Sequence, residues 1–400
     1  MALVAQRLKK IKPSPTLVIT NEATKRKAAG LDVISLGAGE LDAGTPQHIK
    51  DAASLAMQRE ETKYTAVDGT PALKKAIVAK FARENGLHYD INQITVGSGG
   101  KHTLFNVLYA TVDEGDEVII PAPYWVSYVD IVAPADGIPV IINTKQDRGF
   151  KVTAKQLEQA ITPRTKWLIL NSPGNPSGSM YSYEELKALA EVLLRHPHVY
   201  VLSDDIYEHV VYDGGRVYNI ARVEPRLHPR TFVLNGVSKA YSMTGWRIGY
   251  GAGPQEIVKA IAVIQSQSTS NPCSISQAAA VAALDGPQDF IIQNNIKLVK
   301  RRDMVVAALN EIEGLECLVP QGAFYVFPSC IGCLGKKTPG GMIINNCSDF
   351  TTYLLDQALV AVVPGVAFGA ENHFRISYAT SDTLLEVACK RIKQACLALT

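Results

Sequence analysis

The sequence predicts an α/β protein, with a large domain on a mainly parallel seven-stranded sheet covered by helices and a smaller α+β domain beside it. Three observations lead there. Four hundred residues exceed one ordinary hydrophobic core. Between residues 93 and 251 short apolar runs of β type alternate with helical stretches, the pattern of a parallel sheet covered on both faces. After about residue 290 that alternation gives way to long charged helices and isolated short strands.

Taken in order, residues 1–30 are basic and polar, and Lys12-Pro13-Ser14-Pro15 interrupts any helix near the start, so this stretch reads as an arm. Val33–Gly39 reads as a short strand running into a glycine turn. Residues 47–61 have helical spacing, and Pro71 suits the first turn of a further helix. Strand-like runs follow at Gln93–Gly97, Glu117–Pro121, Ile138–Asn143, Lys166–Leu170, Val199–Ser203, Thr231–Asn235 and Trp246–Gly251, with helices over 101–112, 154–161 and 182–195 between them. The last part reads as a helix over Lys297–Glu313, a strand over Gly322–Phe327, a loop at 332–341, a helix over 348–358, a Val-rich run at 360–363 and a final helix over 381–398. The expected division is 1–45 as arm and part of the small domain, 46–290 as the large domain and 291–400 as the remainder of the small one.

Composition restricts the partners. Forty basic residues against 38 acidic ones give no electrostatic footprint for nucleic acid or an anionic membrane, which leaves a small molecule. No apolar run reaches the ~18 residues of a membrane span. Seven cysteines without a framework, and no signal-peptide core, point to a reduced cytoplasmic protein. Cys330-Ile-Gly-Cys333 has the spacing of half a zinc site, but no second pair lies where a tetrahedral site needs one, so no metal is expected.

The polar residues that stand out fall just after strands, where open α/β sheets hold their ligands. Gly97-Ser98-Gly99-Gly100-Lys101-His102 opens a helix with free N–H groups suited to a phosphate, although His102 rules out a Walker loop. Pro123-Tyr124-Trp125 offers aromatics that can cover a flat ring. Asn171–Gly178 is a rigid turn able to fix one amide, Asn175, and its X-Pro bonds are candidates for cis geometry. Asp204 ends an apolar strand and requires a cation there. Lys239 follows another strand, where a partly desolvated amine loses its proton easily and can attack a carbonyl as a Schiff-base nucleophile. Arg247 can clamp an anion bidentately.

These parts together fit pyridoxal 5′-phosphate. The chain resembles the class I aminotransferases of the fold-type I pyridoxal-phosphate enzymes through Gly37–Glu40, Lys63-Tyr64, Pro123–Trp125, Asn171–Gly178, Ser203–Tyr207, Ser238-Lys239, Gly245–Gly249 and Phe374–Tyr378. It is most similar to the bacterial subgroup of aspartate and aspartate/prephenate aminotransferases, because the arm carries Lys12-Pro13-Ser14 with Thr16, and Lys101 follows the glycines.

The resemblance implies that Lys239 carries the coenzyme and shuttles protons, Asp204 pairs with the pyridinium nitrogen, and Tyr207 and Asn175 bond the ring oxygen. Trp125 would stack on the ring. Gly99, Gly100, Lys101, Ser238 and Arg247 would hold the phosphate, with Tyr64 reaching it from the second subunit of a homodimer. Arg375 would take the substrate α-carboxylate, with Gly39, Trp125 and Asn175 also lining the substrate. Lys12 and Lys101 would serve the distal carboxylate, and Lys12 also prephenate. The implied reaction moves the amino group of L-aspartate to 2-oxoglutarate by a ping-pong route. Another amino-acid and 2-oxo-acid pair, or a β-lyase on the same fixtures, stays open at this point. A ligand-sensing regulator is disfavoured, because the arm is too short for a DNA-binding domain. Three departures from the family pattern are Gly236 for a serine, Leu41 for a proline and Ala43 for an aromatic.

Overall fold

The computed structural model describes every residue except Met1, Ala2 and Lys12. In chain order its strands are β1 (Ile34–Ser35), β2 (Ile94–Gly97), β3 (Glu117–Ala122), β4 (Ile138–Asn143), β5 (Thr165–Asn171), β6 (Tyr200–Asp204), β7 (Thr231–Gly236), β8 (Gly249–Ala252), β9 (Tyr325–Val326), β10 (Val360–Ala361), β11 (Val363–Pro364) and β12 (Phe374–Ser377).

Seven of them form the central sheet in the order β2-β8-β7-β6-β5-β3-β4. The pairs β3·β4, β3·β5, β5·β6 and β6·β7 are parallel, and β8 runs antiparallel to both β7 and β2. β2, β7 and β8 are buried along their whole length, as expected of strands covered on both faces. Of the seven, only β4, at one edge, exposes residues to solvent, namely Ile138, Ile141 and Asn143. The order in which strands are added reverses between the parallel neighbours β3 and β5, so the loops after these two strands leave toward opposite sides, where a crevice is expected. Because β8 is inverted, its start also lies at that edge.

Several helices begin where a side chain satisfies a free N–H group. Thr70 caps Pro71–Lys80, and Ser182 with Glu185 forms a reciprocal capping box for Tyr183–Arg195. No helix among the described residues is long and apolar enough to cross a membrane.

Beyond the central sheet, β11-β12-β9 form an antiparallel sheet, and β1 near the amino terminus pairs in parallel with β10. This C-terminal part has its own core, in which Phe324, Phe350, Phe374 and Tyr378 are all fully buried.

Several elements differ from expectation for local reasons. The first 30 residues are not only an arm: Pro15 starts the helix Pro15–Ala28, since a proline at the first helical position gives up an N–H that has no helical partner. The run Trp246–Gly251 is strand only from Gly249, because Thr244–Trp246 is a 3₁₀ turn and Arg247 has a left-handed φ of 57° that ends any extended path before it. The helix placed at Lys297–Glu313 spans Asp289–Asn310, beginning just after the Gly286-Pro287 break. The Val-rich run is two short strands, β10 and β11, in different sheets.

Candidate active site

The carboxyl edge of the central sheet and the β12 strand enclose one cavity of about 440 Å³. Lys239 enters it from the loop after β7. Its side chain keeps access to the cavity, while the amine itself is surrounded by protein and donates to the Gly39 carbonyl. Removal from water, together with the nearby Arg375 charge, lowers its pKa to about 8. A substantial free-base fraction is therefore present at mildly alkaline pH.

Asp204 ends β6 in the floor of the cavity. Its Oδ2 accepts from the Tyr128 hydroxyl at 2.7 Å, and its Oδ1 from the Ile206 N–H at 3.3 Å. Burial raises its pKa to about 6 in spite of both bonds. The loop after β5 is tied to the same place, since Asn171 Nδ2 donates to the Asp204 carbonyl at 2.8 Å and Asn175 N donates to Asn171 Oδ1 at 2.9 Å. Ser172–Pro173 and Asn175–Pro176 are both cis, as is Ala122–Pro123. Tyr207 places its hydroxyl 2.9 Å from that of Tyr325, and burial pushes its pKa well up.

Arg375 reaches the cavity from β12. Nη1 donates to Asn175 Oδ1 at 2.8 Å and Nη2 to the Gly37 carbonyl at 2.7 Å, while Nε has no partner among the described residues. The guanidinium lies 4.4 Å from the centre of the Tyr325 ring and 5.0 Å from that of Phe368. No carboxylate among the described residues pairs with it, so a fully buried cation is met only by neutral oxygens and ring faces. Burial lowers its pKa.

Where β8 begins, Arg247 bends back over the glycine turn. Nη1 donates to the Thr244 carbonyl at 2.9 Å, and Nη2 lies 3.4 Å from the Ser98 carbonyl. A Cβ on Gly99 would fall 2.2 Å from this guanidinium, and Gly99 also has a φ of +94°, so only glycine fits there. Lys101 sits 5.0 Å above the Trp125 ring, and burial with the Arg247 charge lowers its pKa.

A lysine with an easily lost proton, a buried acid, a buried arginine and an arginine over a helix start thus share one space. Residues 31–392 match the family model described as aminotransferase class I and II. The chain belongs to that family. Among related aminotransferases, the aspartate aminotransferase of Rhizobium meliloti (strain 1021) is 58% identical over 392 residues, 98% of this chain and 96% of its own. The aspartate/prephenate aminotransferase of Cereibacter sphaeroides (strain ATCC 17029 / ATH 2.4.9) is 56% identical, with 100% of both chains covered. The crystal structure of the R. meliloti aspartate aminotransferase matches with a TM-score of 0.97 and 57% identity over 100% of both chains. The aminotransferase therefore has the fold-type I architecture that the sequence resemblance implied.

The cavity of this aminotransferase gathers Gly39, Gly100, Lys101, Trp125, Asn175, Asp204, Tyr207, Ser238, Lys239, Arg247 and Arg375. Gly99 lies beside it under Arg247. Two expected residues stand apart: Tyr64 is 92% exposed and outside the cavity, and Lys12 lies outside the described residues. Of the aromatic pair, Trp125 lines the cavity whereas Tyr124 packs over Gly369. A Cβ on Gly236 would meet Ile206 at 3.0 Å and the Gly249 backbone at 3.2 Å, so close packing accounts for the missing serine.

Sequence reasoning passed over Tyr128 and Tyr325, the partners of Asp204 and Tyr207. Tyr128 lies three residues past Trp125, one helical turn on, and that spacing could have found it. Leu17 and Thr20 of the helix Pro15–Ala28, with Ser14 and Thr16 at its start, also line the cavity, and no local pattern marks that approach.

Proposed function

We propose that this aminotransferase holds pyridoxal 5′-phosphate, acts as a homodimer, and transfers the amino group of L-aspartate to 2-oxoglutarate, giving oxaloacetate and L-glutamate, with prephenate as a further acceptor. The observation that carries the reading is that Lys239, Asp204 and Arg375 open onto one cavity, and among the described residues none of the three makes a salt bridge. A carboxylate as deeply buried as Asp204 is costly without a cation, and a protonated ring nitrogen is such a cation. The Gly99-Gly100 helix start under Arg247 suits a phosphate. Arg375, with its Nε free, suits a carboxylate.

When bound, the coenzyme supplies the electron sink that lets an amino acid lose its α-proton. The protein does the rest. Asp204, oriented by Tyr128, would keep the ring nitrogen protonated. Tyr207 and Asn175 would bond the ring oxygen, and Trp125 would cover the ring face. Gly99, Gly100, Lys101, Ser238 and Arg247 would hold the phosphate. Lys239 Nζ would hold the coenzyme aldehyde, and its free amine would take the proton from the substrate Cα.

Arg375 fixes the α-carboxylate, with Gly39 beside it, and so aims the Cα hydrogen at Lys239. Lys101, which lines the cavity with its amine over Trp125, supports a substrate with a second carboxylate; Lys12 is assigned that role on sequence alone. Tyr64 is assigned to the partner's phosphate site, and its exposure supports this. The division at residues 45 and 290 is assigned to two domains that close on substrate, excluding water as Arg375 approaches Lys239.

Half-reactions test the donor. Mixed with L-aspartate alone, the coenzyme-loaded protein should release one equivalent of oxaloacetate per site and lose its aldehyde absorbance; if another amino acid does so and aspartate does not, the donor is misassigned. Arg375→Lys should lower kcat/KM for aspartate by about 10²–10³-fold, because one ammonium cannot replace a planar two-point contact in a site without water. Steady-state kinetics over both substrates reads this out, and a change under threefold would remove Arg375 from the carboxylate site.

A further inference from the structure

His102 has no part in the roles above, yet its ring is built into the glycine turn. The Ser98 N–H donates to His102 Nδ1 at 3.0 Å. A backbone N–H cannot rotate to become an acceptor, so it fixes the ring state: Nδ1 must be bare, and the neutral ring carries its proton on Nε2. On the far side of the ring Asn106 Nδ2 lies 3.3 Å from Nε2, one helical turn on; in this ring state both of these nitrogens carry hydrogen, so the contact is packing and not a hydrogen bond. Asn106 Nδ2 in turn donates to Gln265 Oε1 at 3.1 Å, and Gln265 Nε2 donates to the Val96 carbonyl at 2.9 Å. The ring is thus bonded to the turn through Nδ1 and packed against an Asn106–Gln265 pair that is itself bonded to the strand leading into the turn.

The Ser98 residue is held from both sides. Its N–H faces His102, and its carbonyl faces Arg247. Gly99 N closes the turn onto the Gly97 carbonyl at 2.8 Å, and the His102 and Thr103 N–H groups return to the Gly99 carbonyl. Of the first N–H groups of the helix Gly100–Thr111, those of Gly100 and Lys101 have no backbone partner.

We propose that His102 is a positioning residue for the coenzyme phosphate: through Nδ1 it holds the Ser98–Lys101 turn in the shape that aims the free N–H groups at a phosphate ester. This rests on the pyridoxal-phosphate reading above. Protonation of Nδ1 would set a donor against the Ser98 N–H and release the turn. The charged groups nearby are the Arg247 guanidinium across the turn and the Lys101 ammonium beside it on the same helix, while Asn106 and, from the helix Gln255–Ser266, Gln265 are neutral. Burial and Arg247 lower the His102 pKa from its usual value, so the hold is in place at neutral pH.

Coenzyme-free protein titrated with pyridoxal 5′-phosphate and, separately, with pyridoxal tests this by absorbance. His102→Leu should weaken the phosphorylated ligand about tenfold and pyridoxal less than about twofold, as the loss of one positioned hydrogen bond predicts. His102→Asn, whose Oδ1 can take the place of Nδ1, should restore the phosphorylated ligand to within about threefold of the parent. As pH falls below the usual histidine range, the parent's preference for the phosphorylated ligand should fall more steeply than that of His102→Asn, which has no titrating ring. Unchanged phosphate preference in His102→Leu, or equal loss of both ligands, overturns the proposal. A parent protein that takes up neither ligand overturns the proposed coenzyme as well, whereas normal uptake by His102→Leu overturns the role of His102 alone.

Discussion

Lys239→Ala is expected to leave a folded protein whose turnover of L-aspartate and 2-oxoglutarate is at least about 10⁴-fold below the parent, since proton transfer by one placed side chain is alone worth 10²–10⁴ and covalent attachment goes with it. Stability should not fall in parallel. Burial holds the amine's pKa near 8, against 10.5 for a free lysine, so keeping it charged at pH 7 opposes the unliganded fold. Sign and window follow from that direction: the penalty is full below pH 8 and fades as pH rises toward 10.5. The alanine variant should therefore melt no lower than the parent at pH 7. Steady-state turnover and melting curves of the coenzyme-free proteins check the two halves, and turnover at the parental rate would end the case for Lys239.

The large sheet was legible because its strands are short, apolar and separated by helices with clear starts, so periodicity and capping agreed. The site was legible for a related reason. Residues too polar for a covered strand, such as Asp204, or too constrained for a helix start, such as Gly99, had to be where strands end. What escaped were contacts between distant segments. Tyr325 meets Tyr207 across 118 residues, and Arg375 meets Asn175 across 200, and no local pattern encodes either approach. The first helix was misread for the opposite reason, in that Pro15 is a local signal with two meanings. It breaks a helix that has begun and starts one that has not.

Asp204→Asn carries the second large effect, and it divides activity from stability. Removing a buried charge that pairs with a ring cation should cost about 2–5 kcal/mol in the loaded enzyme, lowering kcat by roughly 10²–10³-fold or more. In the coenzyme-free protein the same carboxylate is a burden. Its pKa stands at about 6 rather than 3.8, because burial outweighs the Tyr128 hydroxyl and the Ile206 N–H. A carboxyl whose folded pKa is raised contributes stability that is present below pH 4 and lost as pH rises through 6. Above pH 7 the charged Asp204 should thus weaken the unliganded fold by up to about 3 kcal/mol, which the neutral asparagine avoids. Melting of the coenzyme-free parent and variant should nearly coincide at pH 4 and separate at pH 8, with the variant higher. Coenzyme should close the gap by giving Asp204 its cation. A variant that melts lower at pH 8 would mean that Asp204 is already paired within the protein, and its proposed hold on the ring nitrogen would fail with it.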